Sequence, residues 1–332
     1  MKKYCILAIL CCFSYLTAAQ SPVEKGLESI NRASAEAYIS FLAHDELQGR
    51  EAGYHGSKVA AQYIASLLQA MGVQPLGDSY FQPFEAYRRE RQKRGRLEVH
   101  PDSIALFSKE VHQKLSMANV LGIIPGKNVY EYAIVGAHFD HLGIDPALDG
   151  DQIYNGADDN ASGVSAVLQI AQAFIASGKQ PERNIIFAFW DGEEKGLLGS
   201  RFFVQTCPFI SQVRGYLNFD MIGRNNKPQQ PMHVVYFYTE ANAAFGKWLK
   251  EDIKKYNLRL EPDYRPWDNP IGGSDNGSFA KAGVPIIWYH TDGHPDYHQP
   301  SDHADKLNWQ KIVEITKASF LNVWNLANEK EY

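Results

Sequence analysis

Apolar positions along the chain follow two periods, and the change between them divides it. Residues 34–47 and 57–71 carry apolar side chains at helical spacing; in the second, Val59, Tyr63, Ile64, Leu67 and Leu68 form one stripe. Each stretch opens on a serine placed to cap its first turn, and Gly72 is placed to stop the second. Residues 78–126 are mixed, with a cation-rich stretch at 88–96 expected to be a solvated turn between strands. From Asn119 onward, short runs rich in Ile, Val, Phe and Tyr alternate with amphipathic stretches. Strands are expected over 120–124, 132–137, 184–190, 215–219, 233–237 and 285–289, and helices over 163–177, 241–256 and 308–327. That alternation implies an α/β fold. A single domain is expected, with a mixed, largely parallel sheet covered by helices on both faces and the N-terminal helices packed onto it. No internal repeat, low-complexity segment or flexible linker interrupts it.

The first nineteen residues stand apart. Lys2 and Lys3 precede an uncharged stretch, and Thr17, Ala18 and Ala19 supply small residues for cleavage, so 1–19 is expected to be a signal peptide and 20–332 the folded domain. An exported protein, periplasmic or secreted, follows from that reading. The uncharged stretch is shorter than the roughly 20 apolar residues that span a bilayer, so no membrane span is expected once it is removed. Cleavage also removes Cys5, Cys11 and Cys12, leaving Cys207 without a partner for an internal disulfide. A chain of 332 residues with 45% hydrophobic content can rely on its core instead. Its net charge of -5, without a long basic run, argues against nucleic acid as a partner. Nothing in the sequence sets the oligomeric state.

In an open α/β sheet, functional groups gather beyond the carboxyl ends of the strands. The segments that follow the expected strands are His138-Phe139-Asp140-His141, then a loop to Gly156-Ala157-Asp158-Asp159-Asn160-Ala161-Ser162-Gly163, then Asp191-Gly192-Glu193-Glu194, Asp220, and a loop with His290, His294, His298 and His303. Carboxylates brought together repel one another and lose hydration unless cations compensate them. Lys195 and Arg224 are too few for this number, and metal ions are the natural compensation. Imidazole and carboxylate without thiolate suit Zn²⁺. Two histidines and three carboxylates suffice for two ions about 3.5–4 Å apart if one carboxylate bridges them. No Gly-x-Ser-x-Gly, Gly-x-Gly-x-x-Gly or P-loop is present, which argues against a serine hydrolase or a nucleotide enzyme.

The motifs His138-x-Asp140, Gly156–Gly163, Asp191-Gly-Glu-Glu194, Asn218-Phe-Asp220 and Tyr297-His298-x-Pro-x-Asp302 together resemble the M28 family of co-catalytic zinc peptidases, mostly aminopeptidases. The stretch from Ser40 to Arg50 is similar to the family's opening segment. The resemblance implies two Zn²⁺ per chain. Asp159 would bridge them, His138 and Asp220 would complete one site, and Glu194 and His298 the other. Glu193 would be the general base, and Asp140 would orient the His138 ring. Relatives with this motif place a cis peptide after the bridging Asp, and the same is expected at Asp159–Asn160. The implied substrates are peptides with a free N-terminus. Two other functions are compatible with the fold: a glutaminyl-peptide cyclotransferase, which uses one zinc, and a non-catalytic peptide-binding homologue.

Several nearby residues are expected to be structural. Asp158 reads as a loop or helix-start residue and His141 as a neighbour that does not ligate. After His298, His294 is the next candidate ligand, while His290 and His303 read as ordinary hydrogen-bonding histidines. Trp267, Trp288 and Tyr289 read as core, and Cys207 as a small buried residue. Ser274-Asp275 reads equally as a plain turn or as part of a substrate site.

Overall fold

The computed structural model describes residues 20–89, 96–107, 111–267, 272–329 and 331–332. The expected signal peptide, and the centre of the cation-rich stretch at 90–95, lie outside the described residues. Helices α1 (Pro22–Ser29), α2 (Arg32–Leu42) and α3 (His55–Met71) lead into strands β1 (Gln74–Pro75) and β2 (Phe81–Arg89). There follow α4 (Pro101–Phe107), β3 (Val111–Ile124), β4 (Asn128–His138) and a small ribbon of β5 (Gly143–Ile144) and β6 (Ile153–Tyr154). The rest alternates: α5 (Gly163–Ser177), β7 (Arg183–Trp190), α6 (Leu198–Thr206), β8 (Val213–Phe219), β9 (His233–Tyr238), α7 (Ala244–Tyr256), β10 (Glu261–Pro266), α8 (Asn276–Lys281), β11 (Ile286–His290) and α9 (Trp309–Asn328).

The main sheet runs β1-β3-β7-β4-β8-β11-β9-β10, with β2 also paired to β3. Its centre, β7-β4-β8-β11, is parallel. The β3 and β9 strands join that centre antiparallel. β7 is buried along its whole length, which explains its unbroken run Ile185-Ile-Phe-Ala-Phe-Trp190: a strand covered on both faces has no polar side to show. One core layer joins the sheet to α1, α2, α3, α5, α7 and α9, and another joins its opposite face to α6 and α8. No helix among the described residues is long and apolar enough to cross a membrane.

Helix ends depart from expectation where local hydrogen bonding decides them. α2 is capped by Asn31, whose side chain accepts from Ser34 N at 2.9 Å, so Ser34 sits inside the helix. The helix ends at Leu42, and Asp45–Arg50 turns separately, with Gln48, Gly49 and Arg50 in left-handed backbone. Ser57 is buried and donates to Asp191 Oδ1 at 3.0 Å instead of capping α3. Gly72 does end α3, at φ 80°. The edge strand β10 has no fully buried position, so its hydrophobic signal is weak.

Gly56 sets how closely α3 lies on the Asp45–Arg50 turn. A Cβ there would stand 1.7 Å from the Leu47 carbonyl oxygen and 3.3 Å from Arg50 Cα. Backbone cannot yield as a flexible side chain can, so Gly56→Ala is expected to destabilise the fold by about 3 kcal/mol. The midpoint of urea unfolding measures this; an unchanged midpoint would contradict it.

Candidate metal and catalytic site

The parallel strands deliver their carboxyl ends to one edge, and most of the candidate residues meet there. His138 ends β4, Asp220 follows β8, and Glu193 and Glu194 lie just beyond β7. Asp159 is carried by a wide helical turn, Ala157–Ser162, that opens α5; its peptide bond to Asn160 is cis. His298 comes from the loop after β11.

Asp159 stands between two donor sets. Its Oδ1 lies 3.3 Å from His138 Nε2, and its Oδ2 lies 3.3 Å from His298 Nε2. Asp220 Oδ1 closes the first set at 3.7 Å from His138 Nε2, and Glu194 Oε2 closes the second at 3.2 Å from His298 Nε2. The His138 tautomer identifies what these atoms face. Its Nδ1 lies 3.2 Å from the main-chain oxygen of Asp140, which can only accept. In the neutral ring Nδ1 therefore carries the proton, and Nε2 turns a lone pair toward two carboxylate oxygens. That Nε2 is buried without a hydrogen-bond partner. Lone pairs converging in this way require a cation. Ligand atoms about 2.0–2.1 Å from a tetrahedral Zn²⁺ lie roughly 3.4 Å from one another, close to the separations found. Without a metal, a proton takes that role. Burial disfavours the charged His138 ring, but Glu193, Asp140, Asp159 and Asp220 outweigh it and hold its pKa well above the ordinary value.

The supporting contacts are mainly to the backbone. The Asp140 carboxylate lies 3.7 Å from His138 Nδ1 and accepts from Glu193 N at 3.0 Å and Glu194 N at 3.3 Å. Asp140 thus orients His138 through its main chain, while its side chain holds the neighbouring loop. Asp302 Oδ2 accepts from Asp158 N and Asp159 N at 2.9 and 3.0 Å. Asp158 Oδ1 accepts from Gly223 N at 2.5 Å, and its Oδ2 lies 3.3 Å from His294 Nε2. His141 Nδ1 lies 2.7 Å from Glu194 Oε1; together with Asp159 these residues form a further group able to hold a cation. Met221 and His298 adopt left-handed backbone, at φ 57° and 54°, which costs on the order of 1 kcal/mol each at non-glycine residues.

Arg50 is the largest support. It is buried, and its guanidinium donates to the carbonyls of Leu42, Phe139, Asn155 and Gly156. It thereby fastens the N-terminal segment to the loops that carry His138 and Asp159. Burial pushes its pKa down to about 10, against the pull of Asp140, Asp159, Asp302 and Glu194. The sequence placed Arg50 in the opening segment and Asp302 in the last motif, but nothing in their spacing disclosed these contacts.

A cavity of about 220 Å³ lies over the donor sets. Glu193 lines it and is not tied to either set by an ion pair with histidine. Burial raises the Glu193 pKa well above the usual carboxylate range; His138 opposes this, and Asp220, Asp275 and Glu194 reinforce it. Tyr297 also lines the cavity, its ring stacked on His298 at 3.9 Å. Of the three aromatic residues expected in the core, Tyr289 and Trp288 are buried there on opposite faces of β11, Trp288 also lining the cavity, while Trp267 is 44% exposed. Cys207 is half-buried, and burial pushes its thiol up to about 11, as suits an unreactive residue.

Asp302→Ala removes the acceptor shared by two buried N–H groups beside Asp159. Zinc affinity is expected to fall by about 10–100-fold, as for other contacts that orient a ligand. Competition with a chromophoric chelator measures it, and an unchanged affinity would contradict the role given to Asp302.

Comparison with known proteins bears on the family and the fold. The chain is 31% identical over 170 residues to leupeptin-inactivating enzyme 1 of Streptomyces exfoliatus, covering 51% of this chain and 34% of that protein. It is 29% identical over 220 residues to a probable leucine aminopeptidase of Arthroderma otae, covering 63% and 58%. The chain thus spans less than two thirds of either relative. Among solved structures, the LapA aminopeptidase of Legionella pneumophila matches with a TM-score of 0.69 at 22% identity, over 93% of this chain and 75% of that one. The zinc aminopeptidase BSAP of Bacillus subtilis matches with 0.68 at 14%, over 91% and 97%. Both likenesses establish the fold, a zinc-exopeptidase-like α/β sheet. The model of peptidase family M28 matches residues 119–323, which hold the carboxyl ends of β4, β7 and β8 with every residue of the two donor sets, and the chain belongs to that family.

Proposed function

We propose that the protein is an exported di-zinc aminopeptidase that removes N-terminal residues from peptides. The observation that carries this reading is Asp159, whose two oxygens each face a separate histidine and carboxylate while Glu193 lines the cavity beside them. His138, Asp159 and Asp220 would hold one ion, and Asp159, Glu194 and His298 the other. Bound zinc supplies polarisation of the scissile carbonyl and lowers the pKa of water to about 7.

The chain's own groups do the rest. Glu193 takes the proton of the attacking water on its free carboxylate and returns it to the leaving amine as the peptide bond breaks. Asp140, by accepting from the N–H groups of Glu193 and Glu194, fixes the stretch of backbone that carries both side chains. The carboxylates around the cavity provide the negative region that a protonated α-amine needs. Export rests on the signal peptide read in residues 1–19.

Zinc-reconstituted, dialysed protein is expected to contain two ions per chain by elemental analysis. A single ion would overturn the two-metal assignment and favour a cyclotransferase. A panel of aminoacyl 4-nitroanilides should be cleaved, and blocking the α-amine by acetylation should abolish cleavage; equal rates on free and blocked substrates would refute an aminopeptidase. Glu193→Gln is expected to keep both metals and lower kcat by about 10²–10⁴-fold. Near wild-type turnover in that variant would remove Glu193 from the mechanism.

A further inference from the structure

The cavity is lined by two kinds of residue: Glu193 and the metal-facing side chains, and beside them Met221, Gly273, Trp288, His290 and Gly293. If the scissile carbonyl lies beside Glu193 and the α-amine beside the carboxylates, the side chain of the residue being removed is left to meet the wall formed by this second group. This step rests on the aminopeptidase reading.

His290 supplies a directional polar group to that wall. Trp288 and His290 are two apart on β11 and so project to one face, whereas Tyr289 between them points into the core. The His290 ring is held in place from two sides. Its Nδ1 lies 2.6 Å from the main-chain oxygen of Asp220, and its ring centroid lies 5.0 Å from that of Trp288. Trp288 is itself stacked on Phe237 at 4.9 Å and 17°. Because the Asp220 carbonyl can only accept, Nδ1 carries the proton, and Nε2 of the neutral ring is an acceptor. Nε2 is not among the buried atoms and remains the ring's accessible polar atom at the cavity wall. The indole nitrogen of Trp288, by contrast, is buried without a partner and offers the cavity nothing.

We propose that His290 sets which residue is removed, its Nε2 accepting a hydrogen bond from the departing side chain. Uncharged residues with an O–H or N–H donor are then removed faster than apolar residues of the same shape. Threonine is preferred over valine, and asparagine over leucine.

The test compares kcat/KM for Thr, Val, Asn, Leu and Asp 4-nitroanilides in zinc-loaded wild type, His290→Phe and His290→Asn. Asparagine at 290 retains an N–H able to reach the Asp220 carbonyl but lacks the acceptor at Nε2, so it separates recognition from folding. In the wild type, Thr should exceed Val and Asn should exceed Leu. Both ratios should fall by about three- to tenfold in either variant, the size of one net hydrogen bond. Wild-type ratios at or below one, or ratios unchanged by both substitutions, would overturn the proposal and leave the aminopeptidase reading intact. Aspartate removed faster than asparagine would also overturn it, since that indicates a cationic ring. No cleavage of any substrate by folded, zinc-loaded wild type would overturn the aminopeptidase reading and this inference with it.

Discussion

Repulsion between buried carboxylates governs the architecture of this edge of the molecule. Asp140, Asp158, Asp159, Asp220 and Asp302 are all buried, with Glu193 and Glu194 beside them. The fold compensates part of this charge by giving three of these groups backbone donors. Asp140 takes two backbone N–H groups, Asp302 two more, and Asp158 the N–H of Gly223. The oxygens left facing His138 and His298 are the ones whose charge a metal would balance. Glu193 faces the cavity close to His138 without an ion pair to it.

These donors can be supplied only because several loops end at one place. The parallel block β7-β4-β8-β11 brings four strand ends together. The antiparallel flanks widen the sheet without adding to that edge. Gly163 follows the same logic at smaller scale. A side chain there would stand 2.3 Å from Asn160 Oδ1, the atom that accepts from Gly163 N at 3.0 Å and so closes the turn carrying Asp159.

Much of this was legible in the sequence because the signal is local. The buried strand β7 is apolar from Ile185 to Trp190, and the groups at a strand's carboxyl end follow it directly in sequence, so Glu193, Glu194 and Asp220 could be singled out by position. Helix α5 has the expected bounds because Gly178 stops it in left-handed backbone at φ 66°. Contacts made across the fold left no such mark. Asn31 and Ser34 are both good caps, and only the hydrogen bond shows which one serves. Trp288 lies in the core as its composition suggests, but nothing along the chain showed that it also lines the cavity. Arg50 is separated by 89 residues from the Phe139 carbonyl it holds, and no pattern along the chain connects them.

That last contact has a consequence for how the protein opens. Arg50 lies outside the 119–323 region matched by the family model, yet its guanidinium donates to carbonyls on both the loop after His138 and the loop before Asp159. If the Asp45–Arg50 turn detached, acceptors on both loops would lose their donor together. In the language of native-state hydrogen exchange, Arg50 couples opening of its own turn to opening of the loops beside His138 and Asp159, although they are far apart in sequence. Fraying of the outer strand β10 breaks none of these bonds, so the sheet's edge can loosen while its catalytic end stays closed.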